Sequence, residues 1–421
     1  MLFLGMPKNL VDSPARRGSL LRSAWMLGPA LVAGVAYLDP GNVASNMTAG
    51  ARYGYLLVWV VVAGNVMAWL IQYLSAKLGI VTGQSLPEVL GTRIRNRWAR
   101  RVYWLQAELV AMATDIAEVL GGAVALNLLF GIPLLLGGAI TGAVSIVLLA
   151  IQTRRGPRHF EFAIIALMAI IVIGFIAGLF VAPPDAARVV GGMLPRFADS
   201  GSVLLAASIL GATVMPHAIY AHSALTRDRF AVEAGRPGIR MLLTATRWDV
   251  TIAMIIAGSV NLAILLLAAA DLAGVEGTDS LEGAHAAITA SLGPIIGTLF
   301  AIGLLASGLA STSVGAYAGA EIMHGLLTVR VPVLARRLVT LIPALVILGV
   351  GFDPTLALVL SQVVLSFGIP FALVPLVALT AQRRTLGEYA NGAITTVLGV
   401  VFATLLIALN AVLLWLVATG A

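Results

Sequence analysis

The stretch Asp39-Pro40-Gly41-Asn42 decides how this sequence folds, because it interrupts an apolar run, residues 24–43, that otherwise predicts a membrane span. A carboxylate at the centre of a spanning helix costs roughly 2.5–3.5 kcal/mol. Pro40 removes a backbone donor and Gly41 loosens the chain, so we expect the helix to break beside its charge. Freed backbone groups at membrane depth are tolerated where they are buried in protein or line a cavity. The stretch therefore predicts half of a cation-binding site.

The composition indicates a polytopic membrane protein. Hydrophobic residues make up 60% of the 421-residue sequence and charged residues only 11%, whereas soluble domains carry about 25% charged residues. The sequence contains no cysteine, which excludes disulfides and thiolate metal sites. No HExxH, GxSxG or P-loop motif is present, so we expect a protein that is not an enzyme and needs no cofactor.

Eleven apolar runs are long enough to span a bilayer, which takes about 20 residues. They lie at residues 24–52, 55–82, 102–128, 133–152, 161–182, 201–226, 248–271, 286–326, 331–350, 354–381 and 392–418. We therefore predict an all-α fold of eleven transmembrane helices.

The basic residues give the orientation. The sequence contains 26 lysine and arginine residues, and only Arg52, Arg188 and Arg196 fall in loops that a chain with a cytoplasmic N-terminus would place outside. We expect a cytoplasmic tail at residues 1–23, an outside C-terminus and a multi-pass protein of the cell (inner) membrane. The net charge of +7 is then a topology signal, and we expect no nucleic-acid partner.

A second interruption, Gly211-Ala212-Thr213-Val214-Met215-Pro216-His217, lies in span 6. The two interruptions are five spans apart, and an odd number of spans inverts the second copy of a repeat. Paired interrupted helices at corresponding positions of two halves indicate a transporter binding site. We predict a five-plus-five inverted repeat, residues 24–182 and 201–381, with residues 392–418 as an additional helix.

The two interruptions offer ligands of different softness. Asp39 and Asn42 supply side-chain oxygens, the break exposes the Ala36 carbonyl, and Met215 and Ala212 supply a thioether and a carbonyl. Sulfur shifts the preference of such a site from magnesium or calcium toward manganese, iron, cobalt, zinc or cadmium. The alternatives are a proline kink with an ion-paired aspartate, and a methionine that only fills space.

Further polar residues lie inside other spans. Glu108, Asp115 and Glu118 share one face of span 3, which suits a proton relay or a structural seam paired to arginines. Of Arg336 and Arg337, we expect one to anchor span 9 at the inner surface and the other to pair with a span 3 carboxylate. The remaining candidates, each with a structural role as alternative, are His217 and His222 for protons, His217 also as a metal ligand, and Gln362 as an auxiliary oxygen ligand.

The two motifs Asp-Pro-Gly-Asn and Met-Pro-His, together with residues 106–115 and 361–375, make the chain resemble the Nramp family of proton-coupled divalent metal transporters, bacterial manganese type. The resemblance implies a LeuT-type fold and metal bound by Asp39, Asn42 and Met215. The resemblance also implies, as further metal ligands, the carbonyl of Ala36 or Ala212 and, in some conformations, the side chain of Gln362.

The same resemblance implies a proton route from Asp39 through Glu118 and Asp115 toward Arg336 and Arg337. It places His217 and His222 nearby and leaves the role of Glu108 less defined. Magnesium-transporting relatives lack the methionine, so Met215 favours the manganese and iron class.

We therefore expect a secondary transporter that imports Mn²⁺, Fe²⁺ and also Cd²⁺ or Co²⁺ with protons by alternating access. It would work in the lipid bilayer as a monomer. Two alternatives stay open: a sodium-coupled symporter of the same fold for amino acids or organic cations, and a passive metal channel. The symporter would need a neutral, aromatic-lined pocket, and the passive channel would need neither interrupted helices nor a carboxylate relay.

Overall fold

The computed structural model describes residues 28–155, 157–231, 238–329 and 332–419, and the regular structure in these ranges is helical. The predicted tail at residues 1–23 lies outside them. The helices are α1 (Pro29–Ala36), α2 (Pro40–Tyr53), α3 (Val58–Thr82), α4 (Leu86–Arg93), α5 (Arg97–Phe130), α6 (Leu134–Arg155), α7 (Pro157–Val181), α8 (Ala186–Gly191), α9 (Ser200–Thr213), α10 (Pro216–Ala231), α11 (Ile239–Asp271), α12 (Leu281–Leu292), α13 (Pro294–Leu327), α14 (Val333–Gly349), α15 (Pro354–Ala381), α16 (Arg383–Leu386) and α17 (Ala393–Thr419).

Within the described residues, eight helices are long and apolar enough to cross a membrane, with α9 and α10 counted as one. Each coincides with a predicted span. Predicted span 1 is divided between α1 and α2, span 4 contains the shorter apolar helix Leu134–Val147, and span 9 is the 17-residue α14. The all-helical membrane fold is thus confirmed, and the count of eleven spans stays a prediction.

The break in span 1 lies where the sequence predicts it. Helix α1 ends at Ala36 and α2 begins at Pro40, with Asp39 as the N-cap whose side chain accepts the Asn42 N–H at 2.8 Å. An aspartate cap followed by proline at the first helical position is a favoured helix start, because proline has no N–H to leave unpaired. The residues that stop one helix therefore begin the next.

The break in span 6 follows the same logic. Helix α9 ends at Thr213, Val214 leaves the helical conformation (φ −112°, ψ 65°), and Pro216 opens α10. Proline is again tolerated because it stands in the first turn of a new helix. Both predicted interruptions are therefore present in the structure, each as a short non-helical segment between two helices.

The predicted span 8, residues 286–326, has the wrong boundary. The chain divides at Gly293 into α12 and the 34-residue α13, and Gly293 adopts φ +94°, a conformation that glycine reaches without strain. Pro294 disfavours a helical conformation at the residue before it, which explains why one helix does not run through. Residues 286–292 belong to a separate short helix.

Glycines let two long helices approach the break in span 1. A Cβ on Gly121 of α5 would lie 2.1 Å from the Pro40 Cβ atom, and one on Gly308 of α13 would lie 3.5 Å from the Pro40 Cγ atom. Helices α5 and α13 also pack against each other. The break is therefore enclosed at the centre of the helix assembly, where Asp39 is completely buried.

Candidate metal-binding site

The two broken helices meet at the side chain of Asn42. Its Nδ2 atom donates to the carbonyl oxygens of Tyr37 and Ala212, each at 2.7 Å. Tyr37 follows α1, and Ala212 lies in the last turn of α9. One buried carboxamide thus joins the two interruptions, which stand 170 residues apart in the sequence.

The Asp39 carboxylate accepts one hydrogen bond on each oxygen. Oδ1 accepts from the Asn42 backbone N–H at 2.8 Å, and Oδ2 accepts from Gln362 Nε2 on α15 at 3.1 Å. This pattern of N–H donors on both oxygens suits an ionised carboxylate. The structure therefore brings Asp39, Asn42, Ala212 and Gln362 into one hydrogen-bonded group.

The donor set at this point is mixed. Met215 is fully buried three residues after Ala212, immediately before the proline that starts α10. In the ranges that the structure describes, no group of three or more His, Cys, Asp or Glu side chains is arranged to hold a metal ion. The residues at the two breaks therefore include one carboxylate, carboxamide and backbone oxygens, and a thioether, donor types that together suit borderline-soft divalent ions.

Each of the carbonyls released by the first break accepts at least one hydrogen bond. Ala36 O accepts the Asp39 N–H at 3.2 Å, which tightens the end of α1. Tyr37 O accepts from Asn261 Nδ2 at 3.0 Å as well as from Asn42, and Leu38 O accepts from the Ser307 hydroxyl. The Ala36 oxygen thus has one of its two lone pairs engaged, a detail that the sequence does not indicate.

The acidic face of α5 is paired to two arginines of α14. Arg336 contacts Glu108 at 2.8 Å and Asp115 at 2.9 Å. Arg337 contacts Asp115 at 2.9 Å and Glu118 at 3.2 Å. The prediction that the three carboxylates share one helix face is confirmed, because both arginines reach them from the same neighbouring helix.

The expectation that one of the two arginines anchors span 9 at the inner surface is wrong. Arg336 is 5% exposed and Arg337 is 0% exposed. The guanidinium of Arg337 also donates to the hydroxyls of Ser145 and Thr312. A planar fork with five donors satisfies several acceptors at once, so burial of each cation is compensated by the carboxylates that it faces.

The two histidines after the second break face different partners. The Nδ1 atom of His217 lies 3.2 Å from the hydroxyl of Thr114, which directly precedes Asp115 on α5. The Nδ1 atom of His222 lies 2.7 Å from Gln72 Oε1 on α3, and Gln72 Nε2 in turn donates to the Tyr37 hydroxyl. The structure therefore brings His217 to the acidic helix and His222 to a separate polar chain that leads to α1.

Sequence reasoning missed several polar residues around the break. Asn46 Nδ2 donates to Asn42 O at 3.0 Å and lies 3.3 Å from Asn42 Oδ1, and Asn261 and Gln72 reach the Tyr37 segment from α11 and α3. All three are buried carboxamides in otherwise apolar spans. That contrast is the signal that points to them, since intramembrane polar residues are costly and mark functional positions.

Comparisons with known proteins cover nearly the whole chain. Residues 30–416 match the family model described as Nramp, natural resistance-associated macrophage protein-like. The chain is 59% identical over 404 residues to the divalent metal cation transporter MntH of Mycobacterium tuberculosis, which covers 96% of this chain and 94% of that protein.

Two solved structures are similar in fold. The crystal structure of the Eremococcus coleocola manganese transporter superposes with a TM-score of 0.82 at 30% identity, over 96% of this chain and 88% of that one. The structure of MhsT in complex with L-phenylalanine superposes with a TM-score of 0.60 at 14% identity, over 92% of this chain and 97% of that one, a likeness in fold alone. These neighbours confirm the predicted LeuT-type architecture.

Proposed function

The chain belongs to the Nramp family of transporters and is not an enzyme, and from this premise we propose that it imports divalent transition-metal ions together with protons. The relatives named as divalent metal cation and manganese transporters support Mn²⁺ as the substrate. Iron in the form Fe²⁺, and also Cd²⁺ and Co²⁺, share the borderline softness that a thioether favours, so we include them as substrates.

The contact between Asn42 Nδ2 and Ala212 O carries the proposal. It brings the polar ends of two interrupted helices together beside a buried carboxylate. Alternating access requires such a site at the interface of two repeats, so that movement of one repeat against the other exposes it to each side in turn. A passive channel has no need of this arrangement, and the resemblance to MhsT carries no argument about an amino-acid substrate.

We propose that Asp39, Asn42 and Met215 ligate the metal, joined by the Ala36 or Ala212 carbonyl and by Gln362 in part of the cycle. The Ala212 oxygen becomes a ligand when the Asn42 amide releases it. The Met215 sulfur discriminates against Mg²⁺ and Ca²⁺, because these ions gain little from sulfur in exchange for water.

We further propose that protons pass along α5. The Oε1 atom of Glu118 and the Oε2 atom of Glu108 are buried and have no hydrogen-bond partner among the described residues, so each has a lone pair open to a proton. Asp115, held by both arginines, links the two. His217 adjoins this route through Thr114, whereas His222 would act through the polar chain to α1.

The remaining assignments concern orientation, assembly state and the internal repeats. We propose that the protein lies in the cell (inner) membrane as a monomer, with the N-terminus in the cytoplasm and the C-terminus outside. The two repeats would be residues 24–182 and 201–381, with α17 as an additional helix.

The test is Mn²⁺ uptake into proteoliposomes that contain the purified protein, with and without an inward proton gradient. We expect uptake that the gradient accelerates and that Cd²⁺, but not Ca²⁺, inhibits. Asp39→Asn should abolish it, while Glu388→Gln, which alters an exposed carboxylate paired with Arg240, should not. Uptake that requires sodium, or that Asp39→Asn leaves intact, would refute the proposal.

A further inference from the structure

The buried Asp39 carboxylate has no cationic partner in the structure. The ion pairs found in the described part of the chain do not include it, although the neighbouring acids of α5 all face arginines. Its two hydrogen bonds come from the Asn42 backbone and from the side chain of Gln362. A buried charge is tolerated only when it is paired or hydrogen-bonded, and the Gln362 amide supplies one of the two hydrogen bonds that compensate Asp39 here.

Two glycines, Gly41 at the first break and Gly211 at the second, leave the space in which Gln362 approaches Asp39. A Cβ on Gly41 would lie 1.7 Å from Gln362 Nε2, and a Cβ on Gly211 would lie 1.9 Å from the Gln362 carbonyl oxygen. The side chain of Gln362 therefore rests on Gly41, and its backbone rests on Gly211. No larger residue fits at either position without moving α15 or its glutamine.

A polar contact with the C-terminal helix holds this part of α15. Asn410 of α17 accepts from the Ser366 hydroxyl at 2.7 Å and donates to the Ser366 carbonyl at 2.9 Å. Ser366 is one turn beyond Gln362 on the same helix, so the contact fixes the segment that carries the glutamine. The position of Gln362 is thus set from three sides, by α2, α9 and α17.

The Gln362 amide is only half used in this arrangement. Its nitrogen donates to Asp39, while its Oε1 atom is buried and has no hydrogen-bond partner among the residues described. A bound cation would require the opposite orientation of the amide, because a cation attracts the Oε1 atom and repels the N–H group. Rotation of the terminal amide exchanges the positions of Oε1 and Nε2, so the same side chain suits both the empty and the metal-bound site.

We propose that Gln362 replaces the metal ion when the site is empty, because its N–H group then compensates the Asp39 carboxylate. Gly41 is the positioning residue, since the absence of a Cβ atom there leaves room for the Gln362 amide. The proposal rests on the proposed transport function. Its consequence concerns the return step, in which an alternating-access carrier must reorient without metal. Net import includes that step, whereas exchange of Mn²⁺ for Mn²⁺ across the membrane omits it.

The test compares the two processes in proteoliposomes at saturating Mn²⁺. Gln362→Leu, which keeps the approximate size of the side chain and removes its donor, should slow net import about 10- to 150-fold more than Mn²⁺ exchange, the range expected for one lost hydrogen bond to a charged group. Gly41→Ala should give the same imbalance, because its methyl group occupies the place of the amide. The double variant should lose no more than either single one.

Gly349→Ala is the matched control, since its new Cβ would lie 3.9 Å from the nearest atom, in Leu135. Its ratio of exchange to net import should equal that of the wild-type protein.

Equal losses of exchange and net import in Gln362→Leu and Gly41→Ala would show that Gln362 is a ligand only and would overturn the inference while leaving the proposed function in place. A wild-type protein that performs neither process would overturn both. Because Gly41→Ala acts on the same contact without altering Gln362, it decides the question even if Gln362→Leu does not fold.

Discussion

Replacing Arg337 with alanine removes the cation that faces two buried carboxylates, and we expect a large loss of stability. Arg337 is completely buried and donates to Asp115 at 2.9 Å and to Glu118 at 3.2 Å. Two hydrogen bonds to charged groups contribute about 3–6 kcal/mol in total. Asp115 keeps Arg336 at 2.9 Å, so most of the loss falls on Glu118 and the expected cost is about 3–5 kcal/mol.

The assay is thermal unfolding of the purified protein in detergent, followed by intrinsic fluorescence, with the unfolding temperatures of variant and wild type compared. Arg52→Ala is the control, because it breaks an ion pair with Asp279 whose side chains are 55% and 44% exposed, and such a pair contributes about 1 kcal/mol or less. Adding Glu118→Gln to Arg337→Ala should recover part of the loss, since it removes the uncompensated charge. If Arg337→Ala unfolds at the same temperature as Arg52→Ala, the buried network does not stabilise the protein as the contacts imply.

The other predictions concern transport and the start of α1. Met215→Ala should keep reduced Mn²⁺ uptake and become sensitive to competition by Ca²⁺ or Mg²⁺; continued exclusion of both ions would contradict the sulfur argument. Glu118→Gln should slow or uncouple proton flux, measured with a pH-sensitive dye inside proteoliposomes, while Mn²⁺ binding by calorimetry stays near wild type. Asp249 accepts from the backbone N–H groups of Gly28 and Ala30 at the start of α1, so Asp249→Ala should lower stability by about 0.5–2 kcal/mol and Asp249→Asn by less, as thermal unfolding will report.

Much of the fold was predictable because its signals are local. The breaks at Pro40 and Pro216 depend on the geometry of proline itself, and the common face of Glu108, Asp115 and Glu118 depends on helical periodicity. Both kinds of signal are fixed by neighbours in the sequence. The boundary of predicted span 8 was wrong because hydropathy does not register a chain turn at Gly293 between two apolar helices.

The sequence by itself determined that the membrane helices are interrupted twice, which residues lie at each interruption, and that three acids share one face of a third helix. Only the tertiary structure decided which groups oppose them. It brought Gln362 to Asp39 across 323 residues, buried both arginines against α5, and directed His222 to Gln72 instead of to the acids. The reason is physical: helical spacing fixes the direction of a side chain relative to its own axis, whereas its partner depends on which helices pack together and where glycines let them approach.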